Sequence, residues 1–287
     1  MFQVLSNALC NGLLLAIGAV GFGLVYFTTR HFHIAHGATF TVGAYVTLYF
    51  SYKFGFSTPL LFTVASIAAC FCGVLVERFL YSPLVKRGAS NETVLLSSLG
   101  LYIVVANFIA IIAGDENLTV RQGVRDPYPF FAVTLTSIQV LQALTALVVI
   151  ISLAALLRFS RIGIALRAVT EDPELSVAHG LDLGRIRILV LGSGSLLAGL
   201  AGCLAALDTG VAPHIGLRAM LEASVCCLAV GSKSVLIQAT AAIALVLMQG
   251  LIGWGFGVRW SSAATFFIVV VLLVWRAISH PRYRDGS

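Results

Sequence analysis

The chain has 287 residues, 59% of them hydrophobic and only 10% charged, with a mean hydropathy of +0.98. Soluble globular chains carry roughly 45–50% apolar and about 25% charged residues, so this composition excludes an ordinary soluble enzyme and points to an all-α, polytopic helical membrane protein. The formal charge of +6 does not indicate nucleic acid. No lysine–arginine cluster is interleaved with exposed aromatics, and basic residues in a membrane protein hold cytoplasmic loops inside.

A membrane helix needs about 20 apolar residues. Candidate segments follow at 4–28, 37–52, 58–81, 93–113, 133–157, 188–207, 219–231, 234–257 and 260–278. That predicts eight or nine hydrophobic segments in one transmembrane domain over 1–287. The first segment lacks the basic flank of a cleavable signal peptide and is expected to be retained. The seventh is too short to cross the hydrocarbon. It is expected to be a re-entrant or broken half-helix paired with the segment after it.

The first connection, HFHIAHGATFTVGAY at 31–45, places His31, His33 and His36 within six positions. Histidine is the commonest metal ligand and titrates near neutrality. On a helix, however, only His33 and His36 could share a face, and no carboxylate or thiol lies nearby. A structural elbow is the better reading than a metal site. His36-Gly37 opens the second helix, and Gly37 lets backbones approach closely. The six cysteines, Cys10, Cys70, Cys72, Cys203, Cys226 and Cys227, all lie in apolar runs and read as small buried hydrophobes.

Orientation follows from the basic loops. The 77–92 loop holds Arg78, Lys86 and Arg87; the 158–187 loop holds Arg158, Arg161, Arg167, Arg185 and Arg187; the tail holds Arg276, Arg282 and Arg284. These are assigned to the cytoplasm. The 114–132 stretch, with three acids against two arginines, is assigned outside. The topology predicted is N-out and C-in, with the three histidines near the cytoplasmic end of the first two spans.

The 160–186 stretch, SRIGIALRAVTEDPELSVAHGLDLGRI, reads as two short helices. Residues 163–170 suit the first, and Asp172-Pro173 stops it because the residue before proline disfavours the helical region. Asp172 is a plausible N-cap, Pro173 a good first helical position, and Glu174 favours the positive helix end. Gly180 fits a left-handed cap. The pair presents Arg167, Glu171, Asp172 and Glu174. An ordinary solvated loop would carry similar charges, but a connection of this length with its own helices favours docking of a partner.

Inside the spans, Glu222 is the sharpest polar candidate, because an intramembrane carboxylate suggests function by default. It could line a pathway, or it could sit among headgroups or pair with Arg218. Ser97, Ser98, Asn107 and Gln249 are weaker, since such groups more often bridge helices. Ser195, Gly199 and Gly202 read as a close-packing face toward another helix of this subunit or of a partner.

Four stretches in this order resemble the membrane permeases of branched-chain amino acid ABC importers, the LivH type. They are FHIAHGATFTVGAY at 32–45, VERFLYSPLVKRGASNETVLLSSLGL at 76–101, the 163–186 loop, and VLGSGSLLAGLAG at 190–202. The chain departs from the family pattern at His33, where asparagine is usual, and at Ser82, where arginine is usual. AVGSKSVLIQ at 229–238 also lacks the expected Gly-Gly…Ile-Pro-Gly pattern, which bears on the substrate.

The resemblance implies a permease subunit of an ATP-binding-cassette importer in a bacterial inner membrane, passing branched-chain amino acids or a similar small polar or carboxylate solute such as urea or amides. It implies as partners a second homologous permease, two cytoplasmic ATPases and a periplasmic solute-binding protein. Arg167, Glu171, Asp172, Pro173, Glu174 and Gly180 would form the coupling element, and His36, Ser97, Ser98 and Glu222 the candidate pathway.

The chain has no GxxxxGK[ST] motif, so ATP and Mg²⁺ would be bound by partner subunits and no cofactor is expected here. It also lacks a nucleophile–base or metal constellation, so no catalytic residue is expected. The competing class is a self-sufficient channel or ion-coupled carrier. That class predicts paired intramembrane carboxylates or a symmetrical pair of half-helices, and no shaped cytoplasmic loop.

Overall fold

Long runs rich in glycine, alanine and serine form the two helices at the centre, because small side chains let neighbours approach from every side. These are α1 (Phe2–Thr29) and α9 (Leu183–Thr209). Over their most apolar windows each is 78% buried, against 17–28% for the other four long apolar helices. The computed structural model describes residues 1–120, 127–130 and 133–257, together with positions 259–261, 263, 267, 270, 271 and 274.

The remaining helices are α2 (His36–Phe54), α3 (Thr58–Val76), α4 (Ser82–Lys86), α5 (Asn91–Ala113), α6 (Ser137–Phe159), α7 (Arg161–Glu171), α8 (Pro173–Ala178), α10 (Ile215–Val230) and α11 (Val235–Phe256). A π-helical turn, Glu77–Tyr81, joins α3 to α4, so 58–86 is one continuous rod. Among the described residues, six helices are long and apolar enough to cross a membrane: α1, the α3–α4 rod, α5, α6, α9 and α11. Eight of the predicted segments are helical, and α2 and α10 are not among the six long enough to span. The predicted ninth segment, 260–278, lies largely outside the described residues.

The all-α expectation needs one addition. Pro127–Phe130 (β1) pairs antiparallel with Val133–Thr136 (β2). The predicted segment beginning at 133 therefore starts as a strand and turns helical only at Ser137. The switch is fixed by a capping box, in which Thr136 Oγ1 accepts from the Gln139 amide and Gln139 Oε1 accepts from the Thr136 amide. Gln3 ties the start of α1 to this hairpin through both the amide and the carbonyl of Thr134.

The packing repeats itself. In the series α1–α2–α3 a long buried helix leads through an elbow to a short helix and then to a less buried span. The series α9–α10–α11 does the same. The correspondence extends to the contacts. α1 runs against α11 through Gly12 beside Ile243 and Gly250 beside Ala8, while α9 runs against α3 through Gly192 beside Val74 and Gly199 beside Ala65 and Ala69. The two short helices meet at their second residues. A Cβ on Gly37 would lie 2.8 Å from the Gly216 carbonyl oxygen, and the reverse substitution would strike the Gly37 carbonyl.

That meeting point corrects the expected depth of the first loop. His36 Nε2 lies 3.2 Å from the Gly18 carbonyl, and Gly18 is roughly 16 Å back along α1 from Thr29 at about 1.5 Å per residue. Residues 30–35 therefore fold back into the bundle, and α2 starts near the middle of α1 instead of at its end. Hydropathy could not show this, because 30–35 was counted as an ordinary connection between two spans. α10 likewise starts beside Gly37 and ends near the α7 side, where Lys233 bonds the Thr170 carbonyl.

The small-residue face of α9 packs within this chain. Ser195 meets Gly73, Gly199 meets α3, and Gly202 meets the Phe40 backbone. Cys10, Cys203, Cys226 and Cys227 are buried as expected, Cys70 and Cys72 only partly, and all six are free.

Candidate functional site

The elbow is held from three sides. Arg30 adopts a left-handed conformation at φ 59° to end α1, and its N–H bonds the Tyr26 carbonyl. Ser98 Oγ on α5 accepts from the Ile34 amide at 3.1 Å and donates to the Leu95 carbonyl at 2.9 Å. The three histidines then diverge. His31 Nδ1 pairs with Asn91 Oδ1 at 2.9 Å, His33 Nδ1 with Tyr81 Oη at 2.6 Å, and His36 Nε2 with the Gly18 carbonyl. His33 and His36 are buried with ring centroids 5.8 Å apart. Burial and the nearby Arg187 lower the His31 pKa. Among the described residues, no three metal-capable side chains converge.

His36 and Glu222, two of the four pathway candidates, line one cavity of about 270 Å³ between α1, α2, α9, α10 and α11. Asn11, Arg218 and Gln249 share it, with Leu14, Phe40 and Val246 supplying apolar wall. Glu222 Oε1 accepts from Arg218 Nε at 3.1 Å. The pairing with Arg218 that the sequence suggested is present, and the paired carboxylate also lines a cavity. Its side chain is 13% exposed, while that of Arg218 is 70% exposed. Ser97 and Ser98 do not line the cavity. Ser97 bonds its own helix at the Thr93 carbonyl, and Ser98 braces the elbow. Asn107 likewise bonds the Ile103 carbonyl.

The 158–187 loop has the two-helix form predicted for it, with caps at every turn. Ser160 Oγ accepts from the Gly163 amide, Asp172 Oδ1 from the Leu175 amide, and Asp182 Oδ1 from Gly184 and Arg185. Pro173 occupies the first turn of α8. Gly180, at φ 84°, ends it: the Gly180 amide bonds the Val177 carbonyl and the Leu181 amide bonds the Ser176 carbonyl.

All four charged residues are exposed, and three of them also have partners within the chain. Arg167 turns back onto the Gly163 and Arg158 carbonyls, so it braces the end of α6. Glu171 pairs with Lys233 Nζ at 2.8 Å. Asp172 is occupied as a cap. Glu174 stands exposed beside the apolar surface of Ile164, Leu175 and Val177, each more than half exposed.

Sequence reasoning missed Lys233 and Asn11. It read Lys233 only as part of a departing motif, although a lone cation inside an apolar run was a usable signal. The π-helical turn also buries Glu77 to 2% exposure, within electrostatic reach of Arg187.

With this geometry in hand, the comparisons define the class. Residues 4–275 match the family described as the branched-chain amino acid transport system / permease component, and the chain belongs to that family. It is 24% identical to the high-affinity branched-chain amino acid transport system permease protein LivH of Escherichia coli, covering 95% of this chain and 92% of that one. It is 29% identical to the probable branched-chain amino acid transport permease protein LivH of Methanocaldococcus jannaschii, over 75% of this chain and 69% of that one. It is 24% identical to the high-affinity permease protein BraD of Pseudomonas aeruginosa, over 96% and 93%. No solved structure matches.

Proposed function

We propose that this chain is one permease domain of an ATP-binding-cassette importer, forming the path for branched-chain amino acids or a similar small polar or carboxylate solute, with urea and amides as further candidates. It sits in a bacterial inner membrane, N-out and C-in. It works with a second homologous permease, two ATPases that bind ATP and Mg²⁺, and a periplasmic solute-binding protein. The observation that carries this reading is the α7–α8 loop, whose shape is fixed by caps at each turn and whose outer surface is apolar around Glu174. Exposed apolar side chains rimmed by charge suit a protein partner. Closure of an ATPase dimer against that surface would displace α7–α8 and, through Lys233, the α10–α11 turn beneath it.

The paired short helices that a self-sufficient carrier would also show are present, so they do not separate the two classes. The capped α7–α8 loop supports the importer reading, since a self-sufficient carrier needs no shaped docking loop. A photo-crosslinking residue placed at Glu174 in the full complex should trap the ATPase subunit. Crosslinks to lipid alone would contradict the assignment. The pathway in this reading runs through the cavity at His36 and Glu222, where the short helices begin.

A further inference from the structure

We infer that a second cavity, between α1, α6, α7 and the start of α11, binds an anionic phospholipid. Its phosphate sits between Arg167 and Lys233, and an acyl chain lies along α1. This site shares no lining residue with the cavity at Glu222, and it takes a membrane component instead of a transported solute.

The position of the cavity sets what reaches it. Thr28 near the end of α1, Leu157 near the end of α6 and Val235 at the start of α11 all line it. Its polar end therefore lies where three spans leave the hydrocarbon, and α7 covers it on the aqueous side. α1 is the deeply buried wall, whereas α6 and α11 are only 17% and 28% buried over their most apolar windows. Ile151 and Leu156 on α6 and Leu236 and Ile237 on α11 are exposed, and apolar side chains exposed on a span face lipid. Entry is from the bilayer, on the side away from α1.

The lining changes with depth. From Thr28 to Val20, both on the wall, is roughly 12 Å of helix at about 1.5 Å per residue. Over that length α1 contributes Gly23, Leu24 and Phe27, with Leu157 from α6. Gln238, which is polar, spends its Nε2 on the Ser232 carbonyl at 2.8 Å. The deep part thus suits a hydrocarbon chain. The whole cavity, about 550 Å³, falls in the roughly 300–1,000 Å³ range of sites for drug-sized ligands.

The charge is at the other end. Arg167, Lys233 and Glu171 are the charged residues that line the cavity, which leaves one net positive charge. Lys233 Nζ spends two of its three N–H groups, on Glu171 and on the Thr170 carbonyl. Arg167 spends two of its five, on the Arg158 and Gly163 carbonyls at 3.3 and 3.4 Å. Donors remain for phosphate oxygens without breaking the Lys233–Glu171 pair. A phosphodiester carrying no cation of its own neutralises the excess charge. A zwitterionic headgroup brings an ammonium and leaves that excess in place. Basic pockets between spans select anionic headgroups in this way.

The test is native mass spectrometry of the full chain in detergent, titrated with phosphatidylglycerol or with phosphatidylethanolamine of the same chains. Phosphatidylglycerol should bind about tenfold more tightly. Arg167→Gln/Lys233→Gln should erase that preference, and Arg87→Gln/Arg185→Gln, two exposed cations outside the cavity, should keep it. Glu171→Gln adds one net positive charge to the cavity and should tighten phosphatidylglycerol several-fold, a gain that misfolding cannot imitate. Leu157→Trp fills the apolar arm and should weaken both lipids, while excess glycerol phosphate, a headgroup without chains, should displace neither. The inference is overturned if the wild type shows no preference, if the Arg167/Lys233 variant keeps it, or if the Arg87/Arg185 variant loses it equally. It is also overturned if Glu171→Gln fails to tighten binding, if Leu157→Trp leaves binding unchanged, or if glycerol phosphate displaces the lipid.

Discussion

Lys233 Nζ stands 2.8 Å from Glu171 Oε1 and 3.1 Å from the Thr170 carbonyl, so the end of α7 is tied to the turn between α10 and α11 across 62 positions of sequence. Thr170 also approaches Thr28 on α1, with the hydroxyls 3.4 Å apart. The 158–187 loop is therefore tied both to α1 and to the turn that follows the short helix lining the cavity.

Removing that tie should uncouple the subunit without unfolding it. Lys233→Met is expected to lower substrate uptake per ATP hydrolysed several-fold while membrane insertion stays normal. The reversed pair, Glu171→Lys with Lys233→Glu, should recover part of the loss. The measurement is the ratio of uptake to phosphate release in proteoliposomes. An unchanged ratio in Lys233→Met removes the tie from the coupling route.

The same pair has a pH signature. The hydrogen bond from Lys233, with the charge beside it, lowers the Glu171 pKa. A carboxylate whose folded pKa is depressed contributes stability above its unfolded pKa and loses it as pH falls through the folded value. The pair should therefore be intact at neutral pH and fail only on acidification below the ordinary glutamate range of about 4.3. A ¹³C titration of the Glu171 carboxyl should show a lower midpoint than in Lys233→Met. Coincident midpoints would contradict the ion pair.

Asp172 acts through helix shape rather than by touching a partner. Its Oδ1 accepts from the Leu175 amide at 2.9 Å, and loss of such a cap costs about 1 kcal/mol locally. Asp172→Ala should speed hydrogen exchange over α8, residues 173–178, and Asp172→Asn should restore protection. Glu174→Gln should leave exchange alone and weaken ATPase docking. The two variants thus divide a charged cluster that sequence alone treats as one surface.

His33 answers a question that the first loop raises. It occupies a position where the family usually has asparagine, and its Nδ1 is 2.6 Å from Tyr81 Oη, both groups buried. Removing one partner leaves the other unsatisfied, at about 1–3 kcal/mol. A double-mutant cycle of His33→Asn and Tyr81→Phe should show non-additive loss of thermal stability. Additive losses would mean the bond contributes nothing.

Much of this was legible in the chain. The apolar runs located the helices to within a few residues, and the Asp172-Pro173 and Gly180 signals located the turns of the 158–187 loop, because caps are local chemistry. Glu222 was also visible as a costly residue in an apolar run. The elbow was not legible. Residues 30–35 look like any connection, and it is the His36–Gly18 and Gly37–Gly216 contacts that show they re-enter the bundle. Likewise the Glu171–Lys233 pair was not legible, because the partners lie 62 positions apart and such pairings leave no local pattern. His36 and Glu222 were separate suspicions until the fold placed both on one cavity.

The most direct test of the account is L-leucine uptake by proteoliposomes holding this chain with its second permease, ATPases and binding protein. The account predicts uptake that requires ATP hydrolysis and stops when the ATPases are omitted. Uptake by the permease pair alone, driven by an ion gradient without ATP, would contradict it.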